Sequence, residues 1–199
     1  MRRLAPAALG LIAIACFAFG FATTARADDA ADRAEIDRSV DAALAILYKT
    51  VPGSNDIANK AAGVLVFPEI VKAGLVIGGQ HGEGALRVGG KTVGYYSTSG
   101  ASLGLQAGAE THSMALMFMT QEALNRFQNG SGWDLGGDAS VAVVDIAANG
   151  SIDTAQLGKP VEAFIYGSSG LMASLSLEGT KVSKMDLAPD SAVGSSTPK

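Results

Sequence analysis

Cysteine is almost missing from this chain: Cys16 is the only one in 199 residues, and it lies near the N-terminus. A disulfide framework is therefore excluded, and stability has to come from packing. Histidine is nearly as scarce, with only His81 and His112. A histidine-rich metal centre has too few ligands to form. Long apolar runs are short supply too. Leu9 to Phe21 falls below the roughly 20 residues a spanning helix needs. Basic charge is thin: three of the 15 basic residues and none of the 19 acidic ones precede Asp28, so the chain from Asp28 onward carries a net charge of −7. Such a chain has no basic field for nucleic acid and little unspecific attraction to an anionic membrane.

The N-terminus has the pattern of an export signal. Arg2 and Arg3 precede the apolar run, and Ala25-Arg26-Ala27 places small residues where a signal peptidase cuts. Residues 1–27 are expected to be removed, which sends the protein to the periplasm or outside the cell. Cys16 offers the less favoured alternative of a lipoprotein, because Ala13 stands where leucine is usual and Phe17 to Phe21 are still apolar.

What the chain has in quantity is glycine, 25 residues in all. From Ala61 to Gly108 short apolar segments alternate with glycine and small polar residues, the pattern of curved strands joined by tight turns. Before this stretch, residues 28–60 predict a helical segment. Ile36, Val40, Ala43, Leu44 and Leu47 fall on one face, with Arg33 and Asp37, and Arg38 and Asp41, on the polar side. Pro52-Gly53 ends that helix, and Ser54 or Asn55 caps a short second one through Lys60, which Gly63 stops. Strands are predicted over Val64 to Phe67, Ala73 to Gln80, Glu83 to Val88, Thr92 to Thr98, Ser102 to Ala109 and Ser113 to Met119. Pro68 is expected to break the first, and Gly89-Gly90 to form a two-residue hairpin turn. Both faces of Ser113 to Met119 are apolar, so that strand should be covered on both sides. Thr120 to Phe127 predicts an interior helix capped by Thr120, followed by a loop around Trp133. Further strands follow over Ala139 to Ile146, Glu162 to Tyr166, Gly170 to Leu177 and Thr180 to Met185, with a turn at Asn149-Gly150. Residues 188–199 have the composition of a disordered tail. The class is α+β: a strongly curved antiparallel sheet or partly closed β-barrel with N-terminal helices and one interior helix.

Several motifs suggest chemistry and lack its context. Ala85 to Thr92 (ALRVGGKT) approximates a phosphate loop, but that loop needs a helix starting at Lys91, and Val93-Gly94-Tyr95-Tyr96 continues as a strand. Gly100 to Gly104 (GASLG) fits the hydrolase nucleophile pattern around Ser102, with Glu110 and His112 as the other triad members. The elbow needs a helix after Ser102, and the flanks alternate like strands. His81 and Glu83 can share one side of a strand, which is too few ligands for a metal. Met117 and Met119 fit core packing better than a soft-metal site. No nucleophile–base pair is supported, and neither enzyme activity nor a cofactor is expected.

Six linked motifs carry a family resemblance. They are Ala62 to Pro68 (AGVLVFP), Val71 to Gly79 (VKAGLVIGG), Gly104 to Gly108 (GLQAG), Leu124 to Phe127 (LNRF), Leu135 to Ala142 (LGGDASVA), and Tyr166 to Leu171 (YGSSGL) followed by Ser174 to Gly179 (SLSLEG). In this order they resemble the SYLF domain family, placed at residues 61–187. The resemblance implies lipid binding, with phosphoinositide recognition in eukaryotic members and actin binding in fungal ones. The chain departs from eukaryotic members at Gly94-Tyr95-Tyr96-Ser97 and in its acidic first helix. An exported protein does not meet actin. The reading is therefore a non-enzymatic exported lipid-binding protein at the cell envelope, with membrane phospholipid as a peripheral partner and no nucleic acid. Its head-group candidates are Lys72, from a family motif, and the strand-borne Arg87, Lys91, Lys181 and Lys184. The alternative is a protein-interaction or scaffolding module without a lipid ligand.

Overall fold

The computed structural model describes residues 21–74, 77–103, 108–144, 152, 157–167, 170–171 and 177–187. The expected apolar leader with Cys16, the Asn149-Gly150 turn and the tail after 187 lie outside the described residues.

Helix α1 (Phe21–Thr50) runs through the expected cleavage point at Ala27. Ile36, Val40, Ala43 and Leu47 are buried, as their spacing predicts, and Leu44 is partly so. Helix α2 (Ser54–Lys60) starts from Gly53 in the left-handed region at φ 86°. Ser54 does not cap it. Its buried hydroxyl instead donates back to the carbonyls of Val51 at 2.7 Å and Leu47 at 3.2 Å, tying the two helices. The helix closes at Ala61, ahead of Gly63.

The strands are longer than the apolar segments suggested. Strand β1 (Gly63–Gly74) continues through Pro68. Its partners slip register between Val66 and Glu69 on one side and between Phe67 and Ile70 on the other. Proline lacks a ladder donor and sits at the resulting bulge, so the strand bends there and does not end. Ser113 Oγ donates to the Pro68 carbonyl at 2.7 Å.

Strand β2 (Ile77–Val88) pairs with β1. The expected strand Ala73 to Gln80 thus straddles a hairpin, with Ala73 opposite Gly79. Gly89 and Gly90 turn the chain at φ 56° and 79°, as the glycine pair predicts. Strand β3 (Lys91–Leu103) ends and β4 (Gly108–Phe118) begins within the expected segment Ser102 to Ala109, but these two do not pair, since β2 and β1 lie between them. Apolar alternation cannot separate two consecutive strands from one continuous strand.

Helix α3 (Gln121–Asn129) is capped by Thr120, which accepts from the Ala123 amide at 3.2 Å. After it come β5 (Trp133–Asp134), β6 (Val141–Val143), β7 (Val161–Gly167), β8 (Gly170–Leu171) and β9 (Thr180–Lys184). The sheet order is β5-β9-β3-β2-β1-β4-β7-β6, with β8 paired to β7. It curls into a half-barrel. Among the described residues all pairs are antiparallel except β6 with β7, which run parallel. The outer strands β5 and β6 are two and three residues long, too short to template further pairing.

Two apolar layers cover the sheet. On one face Leu65, Phe67, Ile70, Leu86, Tyr96, Met114, Leu116 and Phe118 pack beneath α3. There Phe127 stacks against Tyr96, Phe118 and Trp133 at centroid distances of 4.8, 5.0 and 5.4 Å. The other face carries Val64, Val66, Ala85, Tyr95, Ala115, Met117, Phe164 and Tyr166 against α1. Strand β4 supplies residues to both layers, as its two apolar faces predict.

One buried group on the α3 face ties stability to pH. His112 is 6% exposed, and its Nδ1 is closed off without a hydrogen-bond partner. Burial pushes its pKa below 6.5; Glu110 acts against this and Lys72 adds to it. The unfolded chain therefore binds this proton more readily than the folded one. The contribution is fully present above the unfolded value of 6.5 and is lost as pH falls through the window below it. Urea midpoints at pH 7.5 and 5.5 should show a drop that His112→Leu removes in part.

Candidate functional site

The five basic candidates do not share one place. Arg87 is spent within the fold: its Nη2 lies 2.8 Å from Asp41 Oδ1, 3.1 Å from the Asp37 carbonyl and 3.4 Å from Asp37 Oδ1. Its side chain is only 15% exposed. It bridges sheet and α1, while Asp37 also accepts from Thr92 Oγ1 at 2.7 Å and Tyr95 Oη at 3.1 Å. The helix carboxylates that the sequence sets beside Arg33 and Arg38 thus reach across to the sheet.

Lys91 is exposed at the hairpin. Lys181 and Lys184 are exposed on β9, opposite Ser99 and Tyr96. Side chains alternate along a strand. Lys184 therefore shares the face of Val182, and Lys181 takes the other. Lys72 stands on β1 between Gln80 and Glu110, with β2 and β3 separating it from β9.

The catalytic motifs fare as their flanks predict. Lys91 opens a strand and not a helix. Ser102 pairs with Gly78 on β2 and His112 with Ile70 on β1. The two sit on strands separated by two others, roughly 14 Å at the usual strand spacing. His81 Nε2 and Glu83 Oε1 lie 3.9 Å apart, both well exposed. Among the described residues no cluster of three His, Cys, Asp or Glu side chains is placed to hold a metal ion. Met117 is fully buried in the α1-side core.

Asp138, within the LGGDASVA motif, has a structural task. Its Oδ2 accepts from Trp133 Nε1 at 2.6 Å, and its Oδ1 accepts from the Ser140 hydroxyl and amide. Burial alone would raise its pKa, but the Ser140 and Trp133 hydrogen bonds outweigh it and hold the carboxyl below its ordinary value.

Among the described residues two clefts open beside the helices. One, about 340 Å³, lies between α1, α2 and the β2–β3 hairpin, with Asp41, Tyr48 and Arg87 in its wall. Its cation is already neutralised by Asp41 and Asp37. The other, about 300 Å³, lies between α2 and the segment entering β7. Ile57, Met119, Leu157 and Pro160 supply an apolar lining, and Lys60 and Lys159 stand at its wall, both exposed. Glu162 closes it from the sheet at 1% exposure.

This second cleft can hold an apolar body and present cations to an anionic group. Reading along the chain missed it because its residues come from three separate segments: α2, the β4–α3 junction and the entry to β7. The run Leu157-Gly-Lys-Pro160 was the available signal, a turn that brings a lysine beside apolar residues.

No curated protein matches the chain. Among the described residues no helix is long and apolar enough to cross a membrane. Residues 99–195 match the family model described as Ysc84: Las17-binding protein actin regulator. That match takes in strands β4 to β9 and α3, while β1 and β2, at the centre of the same sheet, precede it. A glycine-bent half-barrel, with one face under α3 and the other under α1, is thus the setting of a segment, residues 99–195, that matches the Ysc84 (SYLF) family model.

Proposed function

We propose that this chain is a non-enzymatic binding module that takes phospholipid peripherally at the cell envelope, after export and removal of residues 1–27. The observation that supports this reading is the cleft between α2 and β7. Its apolar lining suits acyl or glycerol carbons, and Lys60 and Lys159 suit the phosphate that every phospholipid carries. With a net charge of −7 from Asp28 onward, the surface as a whole does not attract anionic membranes, so binding depends on local contacts.

Liposome flotation at low salt tests the proposal. The expected result is that the protein floats with phospholipid vesicles and that Lys60→Glu with Lys159→Glu weakens this by about tenfold, the effect of reversing two exposed contacts. Failure to float with vesicles of any composition would remove the lipid reading. A second reading, a protein-interaction module, draws on the family description, which names a protein-binding actin regulator. It would gain if vesicles are ignored while the folded protein retains a specific protein partner.

A further inference from the structure

Glu162 is an unusual floor for a phosphate-binding cleft. It lies on β7 opposite Met117, in the layer facing the helices, and is 1% exposed. Oε1 accepts from the amides of Gly158 at 2.8 Å and Lys159 at 3.0 Å, which fixes the turn. Oε2 is buried and has no hydrogen-bond partner. The nearby ammonium of Lys159 does not serve it, since Lys159 Nζ donates to the Ala139 carbonyl at 3.3 Å. A buried carboxylate oxygen without a donor is costly, and a hydrogen bond to a charged group contributes more than a neutral one. Glu162 lines the cleft while its Oε2 is closed to water, so the group able to complete it is a donor entering the cleft as the carboxylate turns toward it.

We infer that the cleft recognises a zwitterion: a phosphate held by Lys60 and Lys159, joined through a short linker to a primary ammonium that donates to Glu162. This rests on the phospholipid reading and narrows it to head groups with N–H donors. A quaternary ammonium has the same charge but no proton to donate. An anionic glycerol head group has no cation. The same phospho-ammonium chemistry occurs in free phosphoethanolamine, so the membrane and the soluble compound are the two sources to separate.

The test compares flotation of the full chain with vesicles of phosphatidylcholine alone and of phosphatidylcholine carrying phosphatidylethanolamine or phosphatidylglycerol. The expected result is about tenfold tighter binding to the ethanolamine vesicles than to phosphatidylcholine alone, one charge-assisted hydrogen bond net of desolvation. Glu162→Gln should erase that preference. Its amide carbonyl can still accept from Gly158 and Lys159, while its NH2 replaces Oε2 with a donor that rejects an ammonium. Flotation with equal affinity for all three compositions would overturn the zwitterion inference and leave the phospholipid reading standing. No flotation together with no binding of free phosphoethanolamine would end both. Free phosphoethanolamine competing with the vesicles supports a head-group site. Titration of phosphoethanolamine with the same affinity in the absence of any vesicle flotation would assign the site to the soluble compound. The wild-type comparison needs no variant, so it decides the matter even if Glu162→Gln fails to fold.

Discussion

Gly84→Ala will melt roughly 6–12 °C below the parent protein, the shift that a loss of about 3 kcal/mol produces in a chain of this size. Gly84 is buried on β2 at the point where Phe67 and Pro68 oppose it across the β1 bulge. A methyl group there would overlap the Val66 carbonyl and press on Phe67 Cδ1. The obstacle is backbone held in two ladders, since β1 lies between β2 and β4. It cannot move aside as the end of a flexible side chain can, so the strain falls on the bulge itself. Gly89→Ala is the control. Its Cβ meets nothing within 4 Å, and only the positive φ of 56° opposes it. Its cost should be about 1 kcal/mol. Thermal melts of the two variants side by side check the difference. Equal melting temperatures would mean that Val66 and Gly84 do not approach as described.

Asp37→Ala will lose about 3 kcal/mol, the largest effect expected from a helix residue outside the apolar face. Three sheet side chains converge on this carboxylate: Thr92, Tyr95 and Arg87. Removing it leaves a guanidinium that is 15% exposed with Asp41, whose side chain is 71% exposed, as its remaining carboxylate partner. Asp37→Asn should cost less, because an amide oxygen still accepts from Thr92 or Tyr95. Adding Arg87→Met to Asp37→Ala should restore part of the loss, since the orphaned charge goes with its partner. Urea unfolding of the two single variants and the double one measures the coupling. Losses that simply add would show that the helix-to-sheet tie contributes no interaction energy.

Much of the fold was legible because its signals are local. The 3.6-residue spacing of Ile36, Val40, Ala43 and Leu47 marks the buried stripe of α1. Gly89-Gly90 needs no context to form its turn, and Thr120 caps α3 with its own hydroxyl. The alternation in β4 announced two covered faces. Errors arose where the outcome depends on a partner strand. Pro68 carries the breaker signal of any proline, yet β2 and β4 on either side hold the chain extended through a bulge. Ala73 to Gln80 and Ser102 to Ala109 look continuous because each mixes glycine into an apolar run, and composition does not mark where one strand ends and the next begins. The parallel pairing of β6 with β7 is also outside what alternation can encode.

The candidate site was less legible. Basic residues are easily found in a sequence, but their use is decided by neighbours distant along the chain. Arg87 meets its carboxylates about fifty positions away, on α1. Glu162 is indistinguishable in one dimension from any strand carboxylate; burial against the helix layer leaves its Oε2 without a donor. By itself the order of residues determined the class, the helix faces, the hairpin turn and the family motifs, because each rests on neighbours within a few positions. Tertiary structure alone decided which charges are neutralised and which stand at the cleft, because electrostatic partners are set by distance in space and by the loss of water around them.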